Sequence, residues 1–539
     1  MVSQPATDRF FAALQPDRAA ALLLAALTVL MFVVFFALPA DDAYIVARYV
    51  RQLYDGNGLV FNPGERINAI TSPLLTFVLA AIHPLSQEPV DIYRVAAALL
   101  TAWTLVAIAR RAYPTRVDGL LFLAMTLASP FVCFWAIGGL ETPILLCACS
   151  WLTWFALSAT RGNGPAQAFR IIGLATIAVL TRYDSVLYVA PLVILCLSRY
   201  RSDARVIGTT IVCALAVAAW VAFTYAYYGD VLPTSFYVKL TGPEGSGEVV
   251  RGVGYVLSFG VLTLVIPAAI LRLGKREEWS EDRRVFGRVL ALGMAAETVY
   301  AVFAGDKHMM YAYRLFVPYL PSLMLLLSDA GGNREAVSPR QGTRVVWVIL
   351  CLGYQTLLGV CLYYFSENPN LSLVFRKQKV GDEIYEFSTI GAKYTRPFLA
   401  AVRASAREID AHWKTVSSTK ARPMRVAALT GGTLPYYLPA AYALELLVSY
   451  RHHCSGNLAS FADYTQVIQN ADAPSSMAQL FGSADAAWHL ISKHEITVNG
   501  LQNKPFRLWV DIWFQEHPAR LIFPSKVDEQ CTEAKHALD

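Results

Sequence analysis

Residues 19–42 read AAALLLAALTVLMFVVFFALPADD. No charge interrupts Ala19 to Pro39, and those 21 residues meet the roughly 20-residue length of a helix that crosses a bilayer. The run ends on Pro39 and is followed at once by two carboxylates, Asp41 and Asp42. It is too long for a signal-peptide core and lacks a small-x-small cleavage site, so it reads as an uncleaved first span. The composition agrees. Of 539 residues, 55% are hydrophobic and only 16% charged, against about 25% charged in a soluble protein. A soluble enzyme is excluded. Nucleic-acid binding is a poor use of the +6 net charge, because no Lys/Arg stripe with interleaved aromatics occurs.

Working outward, ten more apolar segments lie near 91–109, 118–137, 142–160, 171–183, 185–198, 206–226, 252–271, 287–304, 311–328 and 345–365. The pair 171–183 and 185–198, broken by Arg182-Tyr183-Asp184, suggests spans that stop partway. Residues 72–86 (SPLLTFVLAAIHPLS) decide the parity of everything downstream. As a helix they reach about 22 Å, short of a ~30 Å hydrocarbon core. They are therefore placed in the interface, leaving about eleven spans. The loops with Arg110/Arg111/Arg116, Arg161/Arg170, Arg199/Arg201/Arg205, Arg272 to Arg288 and Arg334/Arg340/Arg344 then share the N-terminal side. That side carries 19 basic and 10 acidic residues, the other 9 and 13. The positive-inside rule makes the first side cytoplasmic.

From Ser366 charge rises and apolar runs shorten. Residues 1–365 read as a transmembrane domain with a first outer loop at 40–90, and 366–539 as a soluble extracytoplasmic α/β domain. The latter has helical patches in 382–415 and strand-like runs such as 425–429. Seven of nine cysteines lie in apolar runs and act there as small hydrophobes. Cys454 and Cys531 do not, and they are candidates to pair if that region faces an oxidising compartment.

The same parity brings the unusual polar motifs to the outer face. Asp41 and Asp42 suit a general base at the membrane edge, or simply an acidic pair at a helix end. Arg182, Lys307, His308 and Arg314 are cations near the outer ends of spans. Their plain readings are an Arg182–Asp184 pair, a solvated loop for Lys307 and His308, and interfacial snorkelling for Arg314. Asp184, Asp230, Asp306, Tyr44 and Glu141 are the polar residues that accompany them. For Glu141 the plain reading is a favourable charge at a helix N-terminus. Glu297 is the one acid inside a span. Thr298 and Tyr300 are at hand to satisfy it, and it is left out of the site. Asp41, Asp42 and Asp306 offer oxygen ligands for Mg²⁺ or Ca²⁺, so a divalent cation stays open. His452-His453-Cys454 lacks a second ligand pair at zinc spacing. No P-loop, Rossmann fingerprint or nucleophile elbow occurs.

The stretch DDAYIVARYVRQLYDGNGLVFNPGERINAITSPL (41–74) resembles the first outer loop of GT-C glycosyltransferases that use a polyprenyl-phosphate sugar. Within them it is most similar to the bacterial terminal arabinofuranosyltransferases. GGLET (138–142), TRYD (181–184, where the family more often shows Arg-Pro-Asp), YYGDVLPTSFYVK (227–239), GDKHMMYAYRLFVPYLP (305–321) and RVAALTGGTLPYY (425–437) continue the match in order. The resemblance covers roughly residues 19–440 and implies a GT-C fold in the cytoplasmic membrane. It implies an enzyme of cell-envelope biogenesis that moves a sugar, most readily arabinofuranose from decaprenylphosphoryl-arabinose, to an extracytoplasmic glycan, glycolipid or glycoprotein. Mannose or aminoarabinose donors remain alternatives, and a lipid-linked-sugar flippase is the rival class. The resemblance implies a catalytic or acceptor-positioning carboxylate at Asp41 and Asp42, with Asp41 favoured as the base. The leaving polyprenyl phosphate would be met by Arg182, Lys307, His308 and Arg314, and the sugar or acceptor by Asp184, Asp230, Asp306, Tyr44 and Glu141.

Overall fold

The computed structural model describes residues 16–113, 115–159, 164–234, 236, 246–272, 280–304, 311–328, 341–364, 403, 406 and 432–439, with the strand backbones named below. Asp306, Lys307, His308, Cys454 and Cys531 lie outside the described residues.

The chain forms α1 (Pro16–Phe36), α2 (Asp42–Tyr54), α3 (Pro73–Ile82), α4 (Pro89–Ala112), α5 (Arg116–Met125), α6 (Pro130–Ala136), α7 (Thr142–Leu157) and α8 (Gly164–Thr181). It continues with α9 (Val186–Arg199), α10 (Ala204–Tyr228), α11 (Ser246–Leu262), α12 (Val265–Arg272), α13 (Glu281–Ala304), α14 (Leu320–Leu327) and α15 (Gln341–Tyr364). A five-residue helix, α16 (Thr433–Tyr437), lies far along the chain. Among the described residues six helices are long and apolar enough to cross a membrane: α1, α4, α8, α10, α13 and α15. The pair α5 and α6, bent by 71° at a short break, makes a seventh. Each of the eleven apolar segments expected from the sequence falls on one or more of these helices, and the protein is a polytopic α-helical membrane protein. Large apolar side chains such as Leu22, Val33, Val212 and Leu215 remain on the outside of the bundle, where only lipid tails cover them without cost.

Contacts define the two ends of the bundle. At one end Arg116 pairs with Asp17 at 3.3 Å, Arg344 with Asp118 at 2.9 Å, and Arg199 with Asp282. Tyr113 and Ser328 share a hydrogen bond of 2.7 Å there. At the other end Arg94 donates to Phe36 O and, at 2.6 Å, to Ile137 O, and the Ala40 N–H donates to Gly138 O at 2.8 Å. Successive spans alternate between these ends.

The segment that decides parity is α3 followed by a single 3-10 turn, His83–Leu85. Ten helical residues cover about 15 Å, and both flanks stay at the second end. Asp41, before α2, accepts from Gly432 N and Thr433 N, while Gln87, after α3, accepts from the Tyr436 hydroxyl at 2.9 Å. One five-residue helix touches both, so the chain leaves and returns on one side. One expectation needs correction. α8 begins at Gly164 and runs 18 residues, long enough to cross, so it does not stop partway. The neighbouring α9 is shorter, 14 residues with Pro191 inside.

The loop between α1 and α4 is built on α2, whose buried face includes Tyr44, Tyr49 and, unusually, Arg48. The Arg48 guanidinium donates to Phe61 O at 2.6 Å, Leu438 O at 3.0 Å, Asn62 Oδ1 at 3.3 Å and Pro435 O. It thereby fastens the loop and the 432–439 segment to one helix. Burial, with Arg51 nearby, pushes its pKa down to about 9.

In the second region, β1 (Gln378–Val380) pairs antiparallel with β2 (Glu383–Tyr385), which falls inside a stretch read as helical. A four-stranded sheet has the order β4-β3-β6-β5. It comprises β3 (Arg425–Ala427), within the expected 425–429 strand, β4 (Tyr442–Leu444), β5 (Trp488–Asn499) and β6 (Pro505–Gln515).

Membrane sidedness follows from this wiring. Exposed Asn57→Cys and Gln87→Cys should react with an impermeant maleimide from one side, and Ser202→Cys from the other. Labelling of Asn57→Cys and Gln87→Cys from opposite sides would mean that α3 crosses.

Candidate active site

The site grows from an unusual turn. Ala312 and Tyr313 have φ of 48° and 57°, left-handed conformations that cost a non-glycine residue about 1–2 kcal/mol each. Packing holds them there. Trp135 Nε1 donates to Ala312 O at 2.9 Å, and the Tyr313 ring lies 5.1 Å from Phe131 and 5.3 Å from Tyr255. The next residue is Arg314, whose side chain is buried and reaches two carboxylates. Its Nη1 lies 3.3 Å from Asp42 Oδ2, and its Nη2 donates to both Glu141 oxygens at 3.0 and 3.3 Å.

Glu141 is placed with equal care. The GGLET loop needs Gly139 at φ 93°, and a Cβ there would sit 3.0 Å from Ala43 Cβ. Tyr93 donates to Leu140 O at 2.7 Å, pinning the loop to α4. From this loop Glu141 faces Arg314 on one side and Arg182 Nε, at 4.0 Å, on the other. Arg182 follows α8 and turns its Nε and Nη2 onto the two oxygens of Asp184, with Nε–Oδ1 3.0 Å. The result is an alternating chain of Asp42, Arg314, Glu141, Arg182 and Asp184. Five residues singled out in the sequence thus come together, from four separate stretches.

The charges define one another. Burial alone would raise the Glu141 carboxyl, but Arg314 and Arg182 outweigh it and hold the group below its ordinary value of 4.5. Burial also works against the Arg314 cation, and Glu141 and Asp42 reverse that, so its pKa is raised.

Asp41, favoured from the sequence as the base, is engaged elsewhere. Its Oδ1 accepts from Thr433 N at 2.8 Å and its Oδ2 from Gly432 N at 3.0 Å. Burial pushes its carboxyl up, with Thr433 and Gly432 pulling the other way. Tyr44 packs against Tyr436 and Tyr437 at 5.4 and 6.0 Å, and its hydroxyl accepts from Arg403. It therefore lies beneath the 432–439 segment. Asp230 sits beyond the end of α10, where Tyr228 donates to Leu59 O at 2.8 Å. Asp306, Lys307 and His308, expected beside Arg314, lie outside the described residues. Among the described residues no group of three His, Cys, Asp or Glu side chains is arranged to hold a metal ion.

Sequence reasoning missed two elements. Thr298 and Tyr300 were expected to satisfy Glu297, but Thr298 Oγ1 donates to Met294 O of its own helix at 2.8 Å. The Glu297 partner is the Tyr319 hydroxyl, at 2.8 Å. The signal was present, since Tyr319 belongs to the 305–321 motif. Arg48 was passed over because a basic residue in an amphipathic helix reads as part of the solvated face.

The fold and site thus define a polytopic membrane protein with a buried ionic chain at one interface. No family model matches the chain. The chain is 27% identical over 300 residues to a terminal β-(1→2)-arabinofuranosyltransferase of Mycobacterium tuberculosis, covering 50% of this chain and 46% of that one. It is 26% identical over 328 residues to the protein of the same name in Corynebacterium glutamicum, covering 53% and 46%. The chain therefore spans about half the length of the curated relatives it matches. Among solved structures, ArnT from Cupriavidus metallidurans bound to undecaprenyl phosphate superposes with a TM-score of 0.49 at 14% identity, over 94% of this chain and 99% of that one. The apo state of the same protein gives 0.49 and 14%, over 92% and 97%. The similarity to terminal arabinofuranosyltransferases, first read from the motifs, is borne out by the two curated relatives.

Two predictions follow from this geometry. Because the folded pKa of Glu141 is depressed, its stabilisation is present above 4.5 and is lost as pH falls through the lower folded value. Melting temperature in detergent should drop across that acid window, and Glu141→Gln should flatten the drop. An unchanged acid limb in the variant would show that the ion pairs contribute nothing there. Separately, a Cβ on Gly432 would overlap the Asp41 carbonyl. Gly432→Ala should weaken docking of the 432–439 segment by about 1–3 kcal/mol, as overpacking does. Faster proteolysis within that segment would report it.

Proposed function

We propose that this protein is a GT-C glycosyltransferase that moves a sugar from a polyprenyl monophosphate to an acceptor hydroxyl on the extracytoplasmic face. The observation that carries the reading is the buried chain of three carboxylates and two guanidiniums beside the first outer loop, in a chain similar to terminal arabinofuranosyltransferases. Arabinofuranose is the sugar this similarity favours, and an envelope glycan or glycoconjugate the acceptor. The excess of basic residues at the opposite end favours a cytoplasmic N-terminus, with the site and the second region outside.

Transfer needs a base for the acceptor hydroxyl and positive charge where the phosphate departs. Asp42 suits the first task better than Asp41. Its side chain keeps 24% exposure and meets a single guanidinium, whereas both Asp41 oxygens already accept backbone N–H groups. In the step itself the acceptor oxygen bonds to the anomeric carbon while the bond from that carbon to the phosphate oxygen breaks. The electron pair stays on the departing polyprenyl phosphate, and the acceptor proton passes to Asp42. Arg182 and Arg314 stabilise the charge on the leaving group. Glu141, between them, keeps both oriented.

The test is transfer by the purified full chain from synthetic polyprenylphosphoryl-arabinofuranose, with the mannose and aminoarabinose donors alongside. Asp42→Asn should lower kcat by about 10²–10⁴-fold, the range for a lost general base, and Asp41→Asn should act mainly through docking of the 432–439 segment. No transfer from any of these donors, or full activity of the Asp41→Asn, Asp42→Asn double variant, would contradict the reading.

A further inference from the structure

The ionic chain holds more acid than base. Three carboxylates (Asp42, Glu141, Asp184) face two guanidiniums, and Asp184 takes two nitrogens of Arg182 to itself. An anionic phosphate reaching Arg182 meets a cation already occupied. Something must give way, and the two carboxylates on Arg182 differ in how firmly they are held. Glu141 is wedged between two guanidiniums and is 3% exposed. Asp184 has one partner in the chain and sits in a single 3-10 turn, Tyr183–Ser185, at the break between α8 and α9.

Around that turn lie donors with nothing to donate to. Among the described residues Arg182 Nη1, Arg314 Nε and the hydroxyls of Ser185 and Thr142 are buried without a hydrogen-bond partner. Ser185 and Thr142 are fully buried, and an unmet buried hydroxyl costs about 1–3 kcal/mol. Ser185 is the more telling. Its backbone is already helical, with φ −58° and ψ −15°, so its hydroxyl does not cap the first turn of α9. Its backbone N–H donates to Arg182 O at 3.2 Å, so the free hydroxyl belongs to the same turn as the guanidinium. Thr142 directly follows Glu141.

We propose that Asp184 is a resident stand-in for a phosphate monoester on Arg182, displaced when the ligand arrives, and that the Ser185 hydroxyl is a further donor to that phosphate. A carboxylate and a phosphate present the same paired oxygens to an arginine fork, so the exchange keeps the Arg182 geometry. It leaves the phosphate's remaining oxygen for Ser185. The displaced Asp184 then carries the charge that the ligand has replaced. This inference rests on the lipid-phosphate reading of the site and adds to it the residue that sets affinity for the departing polyprenyl phosphate.

The experiment measures binding of undecaprenyl phosphate to the full chain in detergent, with inorganic phosphate as a second probe that lacks the lipid. Removing the stand-in should tighten binding, so Asp184→Asn should lower Kd for undecaprenyl phosphate about tenfold, the direction opposite to an ordinary site acid. Ser185→Ala should raise Kd about threefold to tenfold without lowering the melting temperature, because its hydroxyl supports no other contact. Glu141→Gln should weaken binding, since it releases the two guanidiniums from their common anchor. Equal tightening by Asp184→Asn and Glu141→Gln would mean a generic loss of negative charge and would overturn the displacement. So would weaker or unchanged binding in Asp184→Asn, or wild-type affinity in Ser185→Ala. Parallel shifts for inorganic phosphate would support recognition of the headgroup, and shifts for neither probe would overturn it. No binding of undecaprenyl phosphate by the wild type would instead defeat the underlying reading along with this one.

Discussion

Glu141 is the fixed point of the site. A carboxylate this deeply buried is tolerable only with compensation, and Arg314 and Arg182 supply it from opposite directions. Removing one member of such an arrangement leaves an unpaired buried charge, a loss of about 3–5 kcal/mol. The pairing therefore constrains the start of α7, the end of α8 and the turn before α14 to meet at one interface. Those three stretches are separated by long spans, and the packing of the spans brings their ends together.

Much of that end of the bundle exists to hold that meeting place. Arg94 ties Phe36 and Ile137 to α4, and the left-handed pair Ala312 and Tyr313 aims Arg314. Gly432 lets α16 approach the Asp41 backbone. Arg48 then joins the loop between α1 and α4 to the same segment by hydrogen bonds to three carbonyls and one amide. Strain near Arg314 and a fully buried guanidinium at Arg48 are costs that the packing of this end has to offset. They make sense where side chains must be held in one geometry while a charged ligand comes and goes.

The helical architecture was legible because it depends on uncharged run length, and each of the eleven apolar segments carries helix. The interfacial placement of 72–86 was legible too, from length against the thickness of the hydrocarbon core. Boundaries were less so: α8 starts at Gly164, seven residues before the apolar run suggested, since a polar face turned to neighbours dilutes hydropathy. Candidate residues Asp42, Glu141, Arg182, Asp184 and Arg314 were recognisable singly, as charges at span ends. The local Arg182–Asp184 pair was legible as the plain reading and is present, but the pairings of Arg314 with Asp42 and Glu141 were not, because they depend on which spans are neighbours, and periodicity carries no such information. The base assignment shows the same limit. Asp41 and Asp42 are adjacent and chemically identical, and they are distinguished by distant partners, Arg314 for Asp42 and the backbone of Gly432 and Thr433 for Asp41.

The central claim is that Glu141 and Arg314 act as a unit, and a double-mutant cycle on transfer activity tests it most directly. Glu141→Gln, Arg314→Gln and the double variant would be compared with wild type by kcat/KM. Residues acting as a unit are strongly non-additive, so the double variant should be no worse than the poorer single variant. Losses that simply multiply would contradict the account.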